Sequence, residues 1–153
     1  MKEQFKKLIK KYSEEQEWNH QFIFSDGTKT RIKDIDSPGY NLQKWPRIKK
    51  LFSNLIFDDR SFIDVGCSDG YYCTKIAELN TKNKVLGIDI DKTRIKKANL
   101  VKDILEIDNV DFNTEDLYNL ISNDEKFETV LGLGLVHRVP DIKKCINDLC
   151  KLS

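Results

Sequence analysis

The 153-residue chain carries 26 Lys/Arg against 25 Asp/Glu, a formal net charge of +1, and is 39% hydrophobic. That balance fits one globular domain able to bury a core, and it excludes a disordered or strongly basic chain. No apolar run approaches the roughly 20 residues that cross a bilayer, and MKEQFKKLIKKY lacks the apolar centre of a signal peptide, so no membrane partner and a cytoplasmic location are expected.

In chain order, Phe5, Leu8, Ile9 and Tyr12 form the stripe of an amphipathic helix, expected over about Lys2 to Glu17. QFIFSDGTKTRI places β-prone runs on either side of Asp26-Gly27, the signal of a small hairpin. DIDSPGYNLQKWP then mixes turn residues with aromatics, and RIKKLFSNLIF offers Ile48, Leu51, Phe52 and Leu55 at helical spacing. Residues 1–60 thus read as a helical and hairpin cap segment, net charge +4, ahead of a domain over 61–153, net charge −3. The asymmetry allows a polyanionic partner near the N-terminal part without demanding one.

From Ser61 the rhythm becomes strand, turn, helix. Strands are expected at Ser61–Val65, Lys84–Asp89, Val110–Phe112 and Thr129–Gly134, with helices at Tyr71–Leu79, after Asp91 and after Asp141. A weaker helical stretch follows the third strand. Such alternation predicts a Rossmann-like α/β domain, a parallel sheet with helices on both faces. The four cysteines, Cys67, Cys73, Cys145 and Cys150, lack C-x-x-C spacing, so free thiols and no metal site are expected.

In a sheet of this kind ligands bind beyond the carboxyl ends of the strands, where the strand order reverses. The turn Asp64-Val65-Gly66-Cys67-Ser68-Asp69-Gly70 falls there. A dinucleotide site would show G-x-G-x-x-G and a phosphate on the helix N-terminus. Here carboxylates stand in the strand end and in the loop. They repel a pyrophosphate and suit a ligand with positive charge, such as the ammonium and sulfonium groups of S-adenosylmethionine. An NAD-dependent enzyme fits Asp89 but fails at this loop.

At these residues the chain resembles the class I S-adenosylmethionine-dependent methyltransferases, whose first motif is D/E-x-G-x-G-x-G. Ser68 stands where the middle glycine is most often found. The resemblance implies cofactor contacts from Asp64, Gly66, Cys67, Ser68 and Gly70. It adds Asp89 for the ribose hydroxyls, Ile90 against the adenine, and Asp116 with the Leu117 amide near the adenine amino group. It also implies Gly132, with Gly134, in the floor under the methionine end. His137 is the tentative catalytic residue, positioning the acceptor or taking its proton, and a loop-bridging histidine is its equal alternative. Arg138 could pair with an anionic group. A narrower likeness, carried by QKWPRI, GCSDGYYC and LVHR, is to the tRNA wobble-uridine modifying methyltransferases. In that group a tyrosine occupies the position of Val136. Trp45 and Arg47 could close over the ligand, or Trp45 could anchor the segment to the core.

The resemblance implies seven strands where four are read, so the domain looks truncated after the fourth strand and its helix. An uncovered fourth strand would invite a homodimer or a partner chain. Methyl transfer to a small-molecule or RNA acceptor is expected, with a non-catalytic or partner-dependent S-adenosylmethionine-binding module as the alternative.

Overall fold

Ser61–Val65 (β1), Lys84–Asp89 (β2), Val110–Thr114 (β3) and Thr129–Leu131 (β4) form one parallel sheet in the order β3-β2-β1-β4. The computed structural model describes residues 1–30, 41–53 and 59–153. Its helices are α1 (Glu3–Glu15), α2 (Asn41–Leu51), α3 (Tyr71–Leu79), α4 (Lys92–Leu105), α5 (Leu117–Ser122) and α6 (Ile142–Cys150). The chain steps outward from β1 through β2 to β3, then returns to lay β4 on the other side of β1. This reversal puts the β1 and β4 ends at the switch point of the sheet.

Alternation along β1 sends successive side chains to opposite faces. Phe62 packs with Cys73, Ile76 and Ala77 of α3 and with Ile95 and Ala98 of α4. Ile63 and Val65 face the other way, among Leu120 of α5, Leu149 of α6 and Leu152. Helices therefore cover both faces, the expected Rossmann-like arrangement. β1 and β2 are buried on both sides, as parallel strands must be.

The N-terminal segment shares a core with this sheet domain. Ile9, Trp18, Phe22 and Phe24 are buried among Tyr71 and Tyr72 of α3 and Leu100 and Val101 of α4. Lys97 of α4 is fully buried; its Nζ donates to the Gln16 carbonyl and lies 5.1 Å from the Trp18 ring centroid. Asn41 docks α2 by accepting from the Gln21 amide at 3.1 Å and donating to the Gln21 carbonyl at 3.0 Å. Trp45 packs between two hydrophobic clusters, so among the described residues its contacts are those of an anchor, and Arg47 is exposed.

Five expected boundaries shift, the simplest being β3, which runs on to Thr114 instead of stopping at Phe112 because Ile88 and Asp89 of β2 pair with Asn113 and Thr114. α1 ends at Glu15, two residues early. The hairpin reduces to a single antiparallel bridge, Ile23 with Lys29, around a turn in which Asp26 accepts from the Thr28 amide. α2 begins at Asn41, so NLQKWP is helical despite Pro46, because Asn41 is fixed by Gln21 and Trp45 is held by the core. β4 stops at Leu131 instead of Gly134. There the chain bends until a Cβ on Gly134 would sit 2.8 Å from the Gly66 carbonyl oxygen, an approach only glycine permits. Leu55 lies outside the described residues. β4 has one strand neighbour, β1, among them.

Gly70 opens α3 at φ 77°, where a Cβ would meet the Phe112 ring at 2.6 Å and Ala98 at 2.9 Å. Gly27 has φ 81° with nothing within 4 Å of an added Cβ. Gly70→Ala combines left-handed strain with overpacking and should cost about 2–5 kcal/mol. Gly27→Ala carries the strain alone and should cost about 1–2 kcal/mol. Urea denaturation of the two variants measures the difference.

Candidate functional site

A cleft of 1130 Å³ opens over the carboxyl ends of the strands. It exceeds the roughly 300–1,000 Å³ of ordinary small-molecule sites, leaving room for two ligands side by side. Asp64 to Ser68 after β1 and Ile88 to Asp91 after β2 form one part of its wall. The loops around Glu115 to Tyr118 and Leu133 to Leu135 form another, and Gln16, Asn19, His20, Asn41 and Lys44 complete it from the N-terminal segment.

Four of the five amides from Gly66 to Gly70 have acceptors within the protein. The Gly66 and Cys67 amides both donate to the Ile88 carbonyl at 2.9 Å, and the Gly70 amide donates to the Cys67 carbonyl at 3.0 Å. The Ser68 amide donates to Asp89 Oδ2 at 2.9 Å. A phosphate needs such amides free. Their engagement, more than charge repulsion, disfavours a dinucleotide here.

Asp64 ends β1 on the Phe62 face, 2% exposed, with Oδ1 lacking a hydrogen-bond partner among the described residues. The Cys73 thiol lies 4.0 Å from its Oδ2. Burial pushes this carboxyl up to about 7, against the opposing pull of His20 and the Leu133 amide, and Asp89 adds to the rise. A buried carboxylate without a strong partner at the wall of a cleft is suited to a cation. Burial likewise pushes the Cys67 thiol upward, aided by Cys73, so Cys67 contributes backbone and bulk rather than a thiolate.

Asp89 is half-buried at the end of β2. Oδ2 accepts from Ser68, and Oδ1 accepts from the Asp91 amide at 2.9 Å. Each carboxylate oxygen can accept twice, which leaves one site on each for a diol. Ile90 beside it is 75% exposed on the cleft wall, an apolar surface open to a flat ring. Asp91 caps α4 through the Thr93 and Arg94 amides, as expected. Asp116 caps α5, accepting from the Tyr118 amide at 2.7 Å, and remains exposed beside Leu117 on the cleft wall.

Three expected site residues sit differently. Gly70 and Gly132 lie outside the cleft lining: Gly70 is closed in by Phe112 and Ala98, and a Cβ on Gly132 would meet Leu149 of α6 at 2.9 Å. Both serve close packing. Asp69, expected among the charges facing the ligand, is fully buried on the side of the N-terminal segment and does not line the cleft. Its Oδ2 accepts from the Asn19 amide at 2.7 Å and the His20 amide at 3.2 Å, while His20 Nδ1 lies 2.5 Å from Oδ1. Burial alone would raise this carboxyl, yet the His20 ring and amide, with Arg94, hold it below its ordinary value.

Ser68 adopts φ 56°, the left-handed conformation usual for the glycine it replaces. Its hydroxyl donates to Asp69 Oδ1 at 3.2 Å and accepts from Asn19 Nδ2 at 2.6 Å, contacts glycine could not make. His137 sits exposed on the 3-10 turn Val136–Arg138, with Arg138 Nε donating to its Nε2 at 3.4 Å; both line the cleft. Sequence reasoning missed His20 and Asn19. DGYY and WNH lie 49 residues apart, and only the folded chain joins them.

The family model for the methyltransferase domain matches residues 56–153, and the chain belongs to that family. The tRNA U34 carboxymethyltransferase of Campylobacter fetus subsp. fetus is 28% identical, aligning with 94% of this chain and 58% of its own length. The ubiquinone biosynthesis O-methyltransferase of Bartonella tribocorum is 29% identical over 63% of this chain and 38% of its own. The N-terminal domain of EvdMO1, crystallised in the presence of SAH and D-fucose, matches the fold at a TM-score of 0.75 and 17% identity, covering 100% of this chain and 62% of that one. The chain thus spans little more than half the length of the first of these relatives.

The Asp64 burial sets a pH dependence of stability. Between the unfolded value near 4 and the folded value of about 7 the native state holds a proton that the unfolded state has lost, so stability falls as pH rises through that window. Asp64→Asn should abolish this fall, gaining up to about 4 kcal/mol over wild type above pH 7 and little below pH 4. Paired denaturation curves across that range, in the absence of ligand, isolate the difference.

Proposed function

We propose that this chain is an S-adenosylmethionine-dependent methyltransferase acting on a small-molecule or RNA acceptor. The observation that carries the reading is the buried Asp64 carboxyl, with one oxygen unpartnered among the described residues, beside a glycine loop whose Gly66, Cys67, Ser68 and Gly70 amides are already engaged. A sulfonium and an ammonium group would supply the charge that Asp64 lacks. Asp89 would hold the ribose hydroxyls, Ile90 would lie against the adenine, and Asp116 with the Leu117 amide would border the adenine amino group. The methyltransferase family supports the assignment, and so does the SAH named with EvdMO1.

S-adenosylmethionine supplies an activated methyl group; alignment is then the main demand on the protein. The left-handed turn at Gly66 and the close approach of Gly134 fix the two loops that flank the methionine end. The acceptor would enter from the rim occupied by His137, Arg138 and Lys44. The relatives named above include an enzyme of tRNA and one of ubiquinone biosynthesis, which keeps both acceptor classes in the reading.

Calorimetric titration with S-adenosylmethionine and S-adenosylhomocysteine tests the proposal, and absence of binding by both at millimolar concentration overturns it. Asp89→Ala should weaken binding by about 1–3 kcal/mol. Affinity for S-adenosylmethionine should rise with pH through about 7 as Asp64 ionises, then fall near pH 8 as the ligand's α-amino group loses its proton. The rising limb should vanish in Asp64→Asn.

A further inference from the structure

We propose that His20, held by Asp69, is the general base of the reaction, and that the acceptor atom is therefore a hydroxyl oxygen of a small molecule; this rests on the methyltransferase reading. Asp69 is a carboxylate with no exposed surface and can only accept hydrogen bonds. The 2.5 Å contact therefore places a proton on His20 Nδ1. The neutral ring then keeps its lone pair on Nε2, which has no partner among the described residues, while the ring lines the cleft. Orientation is fixed further by Tyr71, stacked at 5.7 Å and 27°, and by Tyr72, edge-on at 5.5 Å. A buried carboxylate behind the ring, a defined tautomer and an accessible second nitrogen together suit an imidazole to act as a base.

Position agrees with chemistry. His20 and Asp64 line the same cleft, Asp64 at the end assigned to the sulfonium. The groups facing His20 are Asp69 of the glycine loop, Asp64 of β1, and Tyr71 and Tyr72 of α3, with Arg94 of α4 behind Asp69 at 3.9 Å. His137 has an Arg138 guanidinium against its Nε2 and no carboxylate behind it among the described residues. Two carboxylates stabilise a proton arriving on His20. That matters for a hydroxyl, which keeps its proton at neutral pH; a neutral amine attacks without a base.

In the step, the hydroxyl oxygen forms its bond to the methyl carbon as the carbon–sulfur bond breaks. The bonding pair remains on sulfur as a neutral thioether. The hydroxyl proton passes to His20 Nε2, giving an imidazolium paired with Asp69, which returns the proton to water after product release. The aromatic rings that His20 and Tyr72 bring to the cleft lining favour a small aromatic hydroxyl compound.

The test has two arms. Nitrogen-15 spectra of the His20 ring at pH 8, with S-adenosylhomocysteine bound, should show Nδ1 protonated and Nε2 free. The opposite tautomer overturns the proposal, and this reading needs no variant and no turnover. In the second arm, catechol and 1,2-diaminobenzene are the acceptors for wild type and His20→Gln. The variant should lose about 10²–10⁴-fold in kcat with catechol, and lose the rise of kcat with pH at saturating S-adenosylmethionine, while binding S-adenosylhomocysteine as wild type does. Diaminobenzene turnover should change little. Catechol left unmethylated by an enzyme that binds S-adenosylhomocysteine, or methylated equally by both proteins, overturns the base while leaving the methyltransferase reading standing. Failure to bind S-adenosylhomocysteine removes both.

Discussion

The Asp69 carboxylate joins the two parts on which the cleft depends. It sits in the glycine loop after β1, out of solvent, and accepts from two consecutive backbone amides and a ring of the N-terminal segment. A buried carboxylate is costly unless its acceptors are filled, so the loop shape and the position of residues 19 and 20 are mutually enforced. Ser68 extends the same junction through its bond with Asn19, and Gln16 reaches Asp91 at the start of α4 at 2.9 Å. The wall of the cleft is thus assembled from residues distant in sequence but coupled through short polar contacts and a shared aromatic core.

A division of labour follows between the two acidic residues of the motif. Asp64 is buried but poorly satisfied and faces the cleft, whereas Asp69 is buried and fully satisfied and faces away from it. One stores unfavourable desolvation that a cationic ligand can relieve; the other stabilises the scaffold. Five positions apart in the chain, one lines the cleft and the other lies outside its lining. Asp89 bridges these roles, holding the Ser68 amide with one oxygen and keeping acceptor capacity toward the cleft with both.

Much of the sheet domain was legible in the residues. The apolar runs of β1 and β2, the caps at Asp91 and Asp141, and the glycine turn all rest on local physical rules, and these elements fall where such rules put them. What could not be read depends on distant contacts. β4 ends early because Gly134 meets the Gly66 backbone, α2 starts early because Asn41 meets Gln21, and Gly132 turns to Leu149. The candidate site divides in the same way. Asp64, Asp89 and Ile90 follow from strand ends, while His20 enters through a pairing that no spacing within either segment signals.

Lys97 gives the junction a further property. Its ammonium group has the Gln16 carbonyl and the face of Trp18 for company, within the core shared by α1 and α4, and burial lowers its affinity for a proton. Exposed ion pairs weaken as salt accumulates around them, but a sheltered cation held by a carbonyl dipole and a ring is barely reached by mobile ions. The hold of the N-terminal segment on the sheet domain is therefore largely indifferent to ionic strength, so the cleft keeps its shape in dilute and concentrated salt alike.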